Sequence, residues 1–299
     1  MLSVIIPTYN RERVLLDTID YLLGLDLAPD EIVIVDQTPQ HLAETQQALD
    51  ALVVNNAIRV IRSETPSIPK AMNRGLVEAR GDLVLFLDDD IAPEPSLIAA
   101  HLAAHTAHSG RLVVGRVIQP WQEGVDFSKD TTFHFASLRP AIVTEFLGGN
   151  FSLDRRMAIS LGGFDENFVK AAYNFEAEYA FRWRNSGREI FYEPSACLHH
   201  LKVSDGGTRS FGEHLTVIGP AHSVGAYYCI LRTWSGSKSL GAWLSRPLRS
   251  IATRFHLRHP WRIPPTLISE VAGMALALRL AARGPRYIVP AQKRSDHDV

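Results

Sequence analysis

The chain has 299 residues, 46% of them hydrophobic, a length and apolar content that can bury a large core as one large or two merged domains and that exclude a disordered or fibrous chain. Its 31 basic and 32 acidic residues leave a formal net charge of −1, so no overall basic field marks nucleic acid as a partner. Two cysteines, Cys197 and Cys229, without metal-ligand spacing, exclude a disulfide framework or zinc site and point to a reducing compartment, the cytoplasm.

Met1 to Pro7 is a short apolar run with no basic region before it, and reads as a strand at 3–6, not a signal peptide. Further strands are expected at 31–35, 58–61 and 83–87. Between them Val14, Leu15, Ile19, Leu22 and Leu23 recur at helical spacing until Gly24, and 41–52 and 67–79 follow the same period. This alternation predicts an α/β fold with βα units around a largely parallel sheet. Leu83 to Leu87 is apolar at every position, as a central strand covered on both faces should be.

After Pro93 and Pro95 the pattern predicts a helix to about 108, a strand at 112–118 and an irregular segment to about 142. Gly148-Gly149-Asn150 then opens a region with helices at 155–161 and 175–186 and short strands near 189–192 and 196–199. The composition changes from about 216, and residues 241–299 carry ten Arg or Lys against three Asp or Glu. No apolar stretch reaches the roughly 18 to 20 uncharged residues of a membrane-spanning helix. The longest, Leu267 to Ala282, contains Glu270 and Arg279 and reads as lying on a membrane instead of crossing it.

Asp88-Asp89-Asp90 follows the apolar strand, at the carboxyl end where open α/β sheets bind ligands. Crowded like charges repel, and a hard divalent cation such as Mg²⁺ or Mn²⁺ would neutralise them. A solvated turn capping the next helix is the alternative.

Four segments in order resemble the family 2 glycosyltransferases, which have the GT-A fold. They are Val4-Ile5-Ile6-Pro7-Thr8-Tyr9-Asn10-Arg11; Glu31 to Asp36; Lys70 to Gly75 running through Arg80-Gly81-Asp82 to Asp88-Asp89-Asp90; and Gly148-Gly149-Asn150 with Gly162 to Glu166, Glu176, Glu178, Arg182, Pro194, Ala196 and His200. Together they cover roughly residues 2–210. The resemblance implies an inverting, metal-dependent transferase taking a nucleotide-diphosphate-sugar donor and a sugar or lipid-linked acceptor, in surface polysaccharide or glycolipid assembly. It places donor contacts at Pro7, Tyr9, Asp36, Asn73, Asp88 and Asn150, and the metal at Asp90, with Asp88 and His200. Asp89 would be structural, and His199 would face away from His200. The domains would be 1–215, with a nucleotide-sugar half at 1–100 and an acceptor half at 101–215, and a basic helical extension at 216–299.

The sequence departs from the family in its acidic motif. Aligned on Arg182, Phe175 replaces the first acid and Glu176 takes the place of the catalytic base. Glu176 and Glu178 lie about 200° apart around a helix, so Glu178 is expected to pair with Arg182 instead. Trp183 follows Arg182, but Tyr179 replaces the Gln of processive synthases, so transfer of a single sugar is expected. The competing reading is a non-catalytic nucleotide-sugar sensor or assembly subunit. In the extension, Arg246, Arg249, Arg254, Arg258 and Arg262 alternate with Trp243, Leu248, Phe255, Leu257 and Trp261. That pattern suits an anionic membrane surface, and equally a helix docked on the acidic catalytic half or on a second subunit.

Overall fold

The computed structural model describes residues 1–212, 215–234 and 236–288, without the side chains of 236–239; Val289 to Val299, part of the basic extension, lie outside it. The first half alternates β1 (Leu2–Thr8), α1 (Arg13–Leu23), β2 (Glu31–Asp36), α2 (Ala43–Val54), β3 (Arg59–Arg62), α3 (Ile68–Glu78) and β4 (Leu83–Leu87). Then come β5 (Ile91–Pro93), α4 (Leu97–Ala107), β6 (Leu112–Ile118), β7 (Ala141–Val143), β8 (Asn150–Asp154), α5 (Arg155–Ser160), α6 (Phe175–Asn185) and β9 (Ile190–His200). Among the described residues these strands form one sheet in the order β3-β2-β1-β4-β8-β6-β9-β5, with β7 also pairing β9.

β1 to β4 are parallel; β1, β2 and β4 are buried on both faces, which is why apolar side chains fill most of their positions, whereas β3, at the edge of the sheet, is only half-buried and carries arginine at both ends. Phe86 of β4 stacks on Phe151 at 4.9 Å and meets Phe164 edge-on at 5.5 Å. Burial of each such ring is worth about 2 to 3 kcal/mol.

The short strands β5 and β7 were not expected from the sequence, and two longer elements also differ from that expectation. β8 was not expected, yet it lies between β4 and β6 and runs antiparallel to both. Its polar residues hide it, because Asn150 and Ser152 are fully buried and satisfied from α4. His101 Nε2 contacts Asn150 Oδ1 at 2.9 Å, and Ser152 Oγ contacts His101 Nδ1 and His105 Nε2, each at 2.8 Å. Burial pushes both imidazoles down to about 4, so both are neutral at physiological pH.

The two short strands expected near 189–199 are one strand, β9. It passes through Pro194, which has no N–H to donate, and the register with β6 jumps from Gly115↔Glu193 to Arg116↔Cys197.

The C-terminal extension is helical, with α7 (Ser223–Thr233), α8 (Gly236–Ile251), α9 (Arg254–Arg258) and α10 (Ile263–Ala282). α7 packs on α6 and α10 packs along α7. Tyr228 donates to Asp165 Oδ2 at 2.7 Å, and Ile288 N donates to Gly162 O at 2.8 Å, tying the extension to the turn before α6. Pro260–Ala282 is long and apolar enough to cross a membrane by length and composition, and 28% of its apolar 18-residue window is buried in the fold.

Candidate active site

The carboxyl ends of β1, β4 and β9 converge on one edge of the sheet. β1 delivers Pro7, Thr8 and Tyr9, β4 delivers the three aspartates, and β9 ends on His200, paired with Ile91. Asp89 points into the fold. It accepts from Thr8 Oγ1 at 2.7 Å and from Arg11 Nε at 3.1 Å, so it holds the loop after β1, as the sequence suggested for this residue. Burial pushes its carboxyl up to about 7, against the pull of Arg11 and the Thr8 hydrogen bond.

Asp90 Oδ2 accepts from Arg11 Nη2 at 3.2 Å and from Val203 N at 3.0 Å, while Oδ1 faces His200 Nε2 at 3.2 Å. His200 Nε2 lies 3.9 Å from Asp88 Oδ2. Burial alone would raise the Asp90 carboxyl, but the His200 hydrogen bond and the charges of His200 and Arg11 hold it below its ordinary value. Burial alone would lower the His200 imidazole, and the Asp90 hydrogen bond with the charges of Asp88 and Asp90 raises it instead. One ligand atom from each of Asp88, Asp90 and His200 lies within 4.8 Å of the others. Two carboxylates and an imidazole are a donor set that suits Mn²⁺ or Mg²⁺. Gly149 backs this cluster, and a Cβ there would overlap the Asp88 carboxylate.

Two cavities meet at the cluster. The first, of about 300 Å³, is bounded by Pro7, Tyr9, Gln37, the three aspartates and the segment from Lys202 to Phe211. That segment is strapped down by Gly207 N donating to Tyr9 O at 2.7 Å, by Val203 N on Asp90, and by Arg11 donating to Asp205 O. Lys202 and Arg209 bring positive charge to the wall facing the aspartates, with the Lys202 ammonium 4.1 Å from the Trp121 ring centroid. The second cavity, of about 240 Å³, shares Asp88 and His200 with the first and is closed by Gly148, Gly149, Phe175 and Glu176.

Glu176 occupies the first turn of α6, behind Asn174, whose left-handed backbone (φ 69°) turns the chain into the helix. A Cβ on Gly148 would lie 2.9 Å from Glu176 Oε1, so the glycine leaves room for the carboxyl. Burial pushes that carboxyl up to about 8, Asp88 and Glu145 add to the rise, and its own backbone N–H opposes it. Glu178 lies on the other side of the helix, buried, with Arg182 Nε donating to Oε1 at 2.7 Å and Nη2 to Oε2 at 3.0 Å. Arg182 also donates to the carbonyls of Leu161 and Gly163, so the pair braces the turn before α6.

A model of the glycosyl transferase family 2 domain matches residues 3–177, more than half of the chain. The chain belongs to glycosyltransferase family 2. It is 23% identical over 291 residues to the pre-mycofactocin glycosyltransferase of Mycobacterium tuberculosis (strain CDC 1551 / Oshkosh), covering 94% of this chain and 53% of that protein. The chain spans about half or less of the length of the curated relatives it matches. Among solved structures, S. aureus TarS 1-349 in complex with UDP-GlcNAc has a TM-score of 0.63 at 19% identity, over 94% of this chain and 83% of that one. GalNAc-T7 with UDP, GalNAc and Mn²⁺ has a TM-score of 0.63 at 14% identity, over 94% and 55%. These likenesses establish the GT-A fold.

The fold of this family 2 chain brings Pro7, Tyr9, Asp88, Asp90, His200 and Glu176 to the two cavities. Three expected donor residues lie elsewhere. Asn73 donates to Phe164 O at 2.8 Å and accepts from Phe164 N at 2.8 Å, which fixes the turn from Gly162 to Glu166. Asn150 spends its amide on Arg116 O and Ala196 O, bridging β6 to the Pro194 bulge. Every hydrogen bond that these two side-chain amides make is internal to the fold. Asp36 is fully buried, accepts from Thr38 N at 2.9 Å, and pairs with His41 and Arg62. It borders a neighbouring cavity together with Gln37, which reaches both.

Arg11, Lys202 and Arg209 were not among the expected site residues. Arg11 carried a usable signal, as a cation one turn beyond the first strand facing three acids; the other two had none, since only tertiary folding brings their segment over the cavity. His199 turns away as expected, between Glu94 and Glu123 at 2.9 and 2.7 Å.

Proposed function

We propose that the chain transfers a sugar from a nucleotide-diphosphate donor to an acceptor hydroxyl, with a divalent cation and with inversion at the anomeric carbon. The observation that carries this reading is the wall shared by the two cavities. Asp88 and His200 border both, the positively charged segment closes the first, and Glu176 closes the second. The UDP-GlcNAc of the TarS complex and the UDP and Mn²⁺ of GalNAc-T7 support the donor and cation classes.

The cation would be held by Asp88, Asp90 and His200, and when bound it supplies positive charge against the departing diphosphate. The remaining chemistry belongs to the chain. Pro7 and Tyr9 flank the donor, and Lys202 and Arg209 face the diphosphate from the closing segment. Glu176 takes the acceptor's proton as the acceptor oxygen bonds to the anomeric carbon and the bond from that carbon to the diphosphate oxygen breaks. A base whose pKa sits near the working pH is suited to this transfer, and burial has moved Glu176 towards that range. The acceptor in this proposal is a sugar or a lipid-linked sugar of surface polysaccharide or glycolipid assembly, used on the cytoplasmic side.

The missing first acid favours one second reading, a nucleotide-sugar sensor, because Phe175 fills that position and packs against Phe164 at 5.8 Å. A melting-temperature panel of nucleotide sugars with and without Mn²⁺ tests the binding that both readings require. One donor at about a hundred times its Kd should stabilise the fold by about 2.7 kcal/mol, and only with the cation. A panel flat for every nucleotide sugar would overturn both readings, and binding without turnover would leave the sensor.

A further inference from the structure

α7 is buried all round over its first two turns, whereas α8 and α10 turn only one face to the rest of the chain. α8 places Ala242 and Trp243 inward, with the indole edge-on to Tyr227 at 5.3 Å. α10 places Ser269, Glu270, Gly273, Ala277 and Leu280 inward. On the outer side, Leu240, Leu244 and Leu248 follow one another at four-residue spacing along α8 and are all exposed. Leu257 is 83% exposed and Trp261 just beyond α9 is 65% exposed.

The charges on this face have one sign. Between 241 and 288 the sequence holds eight arginines and a single acid, Glu270. Glu270 is internal, accepting from Tyr227 at 2.7 Å and pairing with Arg246 at 3.2 Å. Arg249, Arg254 and Arg258 are exposed and stand next to or one turn from Leu248, Leu257 and Trp261 in the sequence. Among the described residues none of the three pairs with a carboxylate, so this stretch combines exposed aliphatic and indole groups with positive charge.

We propose that this face docks on an anionic lipid bilayer, with Leu257 and Trp261 entering the headgroup boundary and the arginines lying on the lipid phosphates. Charge complementarity selects that occupant. A second copy presenting the same face would bring arginines against arginines. A spanning role for α10 would strip its inward Ser269 and Glu270 from their partners on α7, Ser223 and Tyr227, and expose a carboxylate to hydrocarbon. The inference does not depend on donor chemistry.

Flotation of the full chain with vesicles tests it, using phosphatidylcholine alone and phosphatidylcholine with phosphatidylglycerol. The chain should float with the anionic vesicles only and be released by salt or by alkaline carbonate. Arg254→Ser with Arg258→Ser should weaken binding about 25-fold, taking about fivefold per arginine. Leu257→Ser with Trp261→Ser should weaken it about tenfold or more, since both anchoring side chains leave the interface. These residues are exposed, so melting temperatures should hold, and melting-temperature shifts by nucleotide sugars should not change. Equal flotation with neutral vesicles, no flotation, or insensitivity to both double variants would overturn the proposal. Resistance to carbonate would make α10 a spanning helix and also overturn it. So would a dimer in light scattering that the leucine and tryptophan substitutions dissociate without vesicle binding in the parent chain.

Discussion

Glu176→Gln separates the two consequences of burying a carboxyl in the wall of the second cavity. In the folded chain its pKa rises from 4.5 to about 8, chiefly through burial. Taken at full value the ionised form carries a penalty of about 5 kcal/mol, and with water entering the cavity about 2 kcal/mol is the working figure. A raised carboxylate pKa costs nothing while the group is protonated in both states, below about 4.5. The cost grows as pH rises through the interval to about 8 and is complete above it. The Gln variant lacks that cost. Its melting temperature should match the parent near pH 4 and exceed it by about 4 °C near pH 8.5.

Activity should move the other way. The parent's kcat/KM should rise about tenfold per pH unit up to about 8 and then level. Because Asp88 contributes to the rise in pKa, saturating Mn²⁺ should move that midpoint down. In the variant the profile should be flat and lower by about 10² to 10⁴, with donor binding retained. A variant that keeps parental turnover, or that is less stable than the parent at high pH, refutes the assignment of Glu176 as base.

Two further substitutions test the surroundings. Gly149→Ala places a methyl group inside the Asp88 carboxylate, so Asp88 must swing away; the Mn²⁺ concentration for half-maximal activity should rise about 10- to 100-fold with folding intact, measured by metal titration. Glu178→Gln breaks a buried pair and leaves Arg182 uncompensated, which should lower stability by about 3 kcal/mol in urea titration while the donor KM stays near the parent's. If Glu178→Gln abolishes turnover at parental stability, the base lies two residues further along α6.

His200 and Glu176, whose partners at the site are distant, were placed by the family resemblance alone; the residues legible from the sequence itself are those whose neighbours are close in the chain. Asp88 to Asp90 follow an apolar strand directly, Glu178 and Arg182 are one helical turn apart, and the alternating βα pattern reports its own periodicity. What stayed hidden depends on distant partners. Asn73 is claimed by Phe164, 91 residues on, and Asn150 by His101, Arg116 and Ala196. A resemblance that places both near the donor cannot register those internal bonds. β8 escaped for the same reason, since Asn150 and Ser152 look like loop residues until α4 supplies their partners. Strand β9 runs through a proline only because a bulge omits Pro194 from the pairing.

The account's central claim is cation-dependent release of nucleoside diphosphate at the Asp88, Asp90 and His200 cluster with capture of the sugar by an acceptor. The most direct measurement is nucleoside diphosphate formed from the donor that the melting panel identifies, followed in the parent and in Asp90→Ala, before and after chelation. The account predicts release that a chelator stops and added Mn²⁺ restores, and that Asp90→Ala loses although it remains folded. A parent chain that binds the donor and never releases nucleoside diphosphate with any sugar acceptor, or release that persists in Asp90→Ala and under chelator, would contradict it.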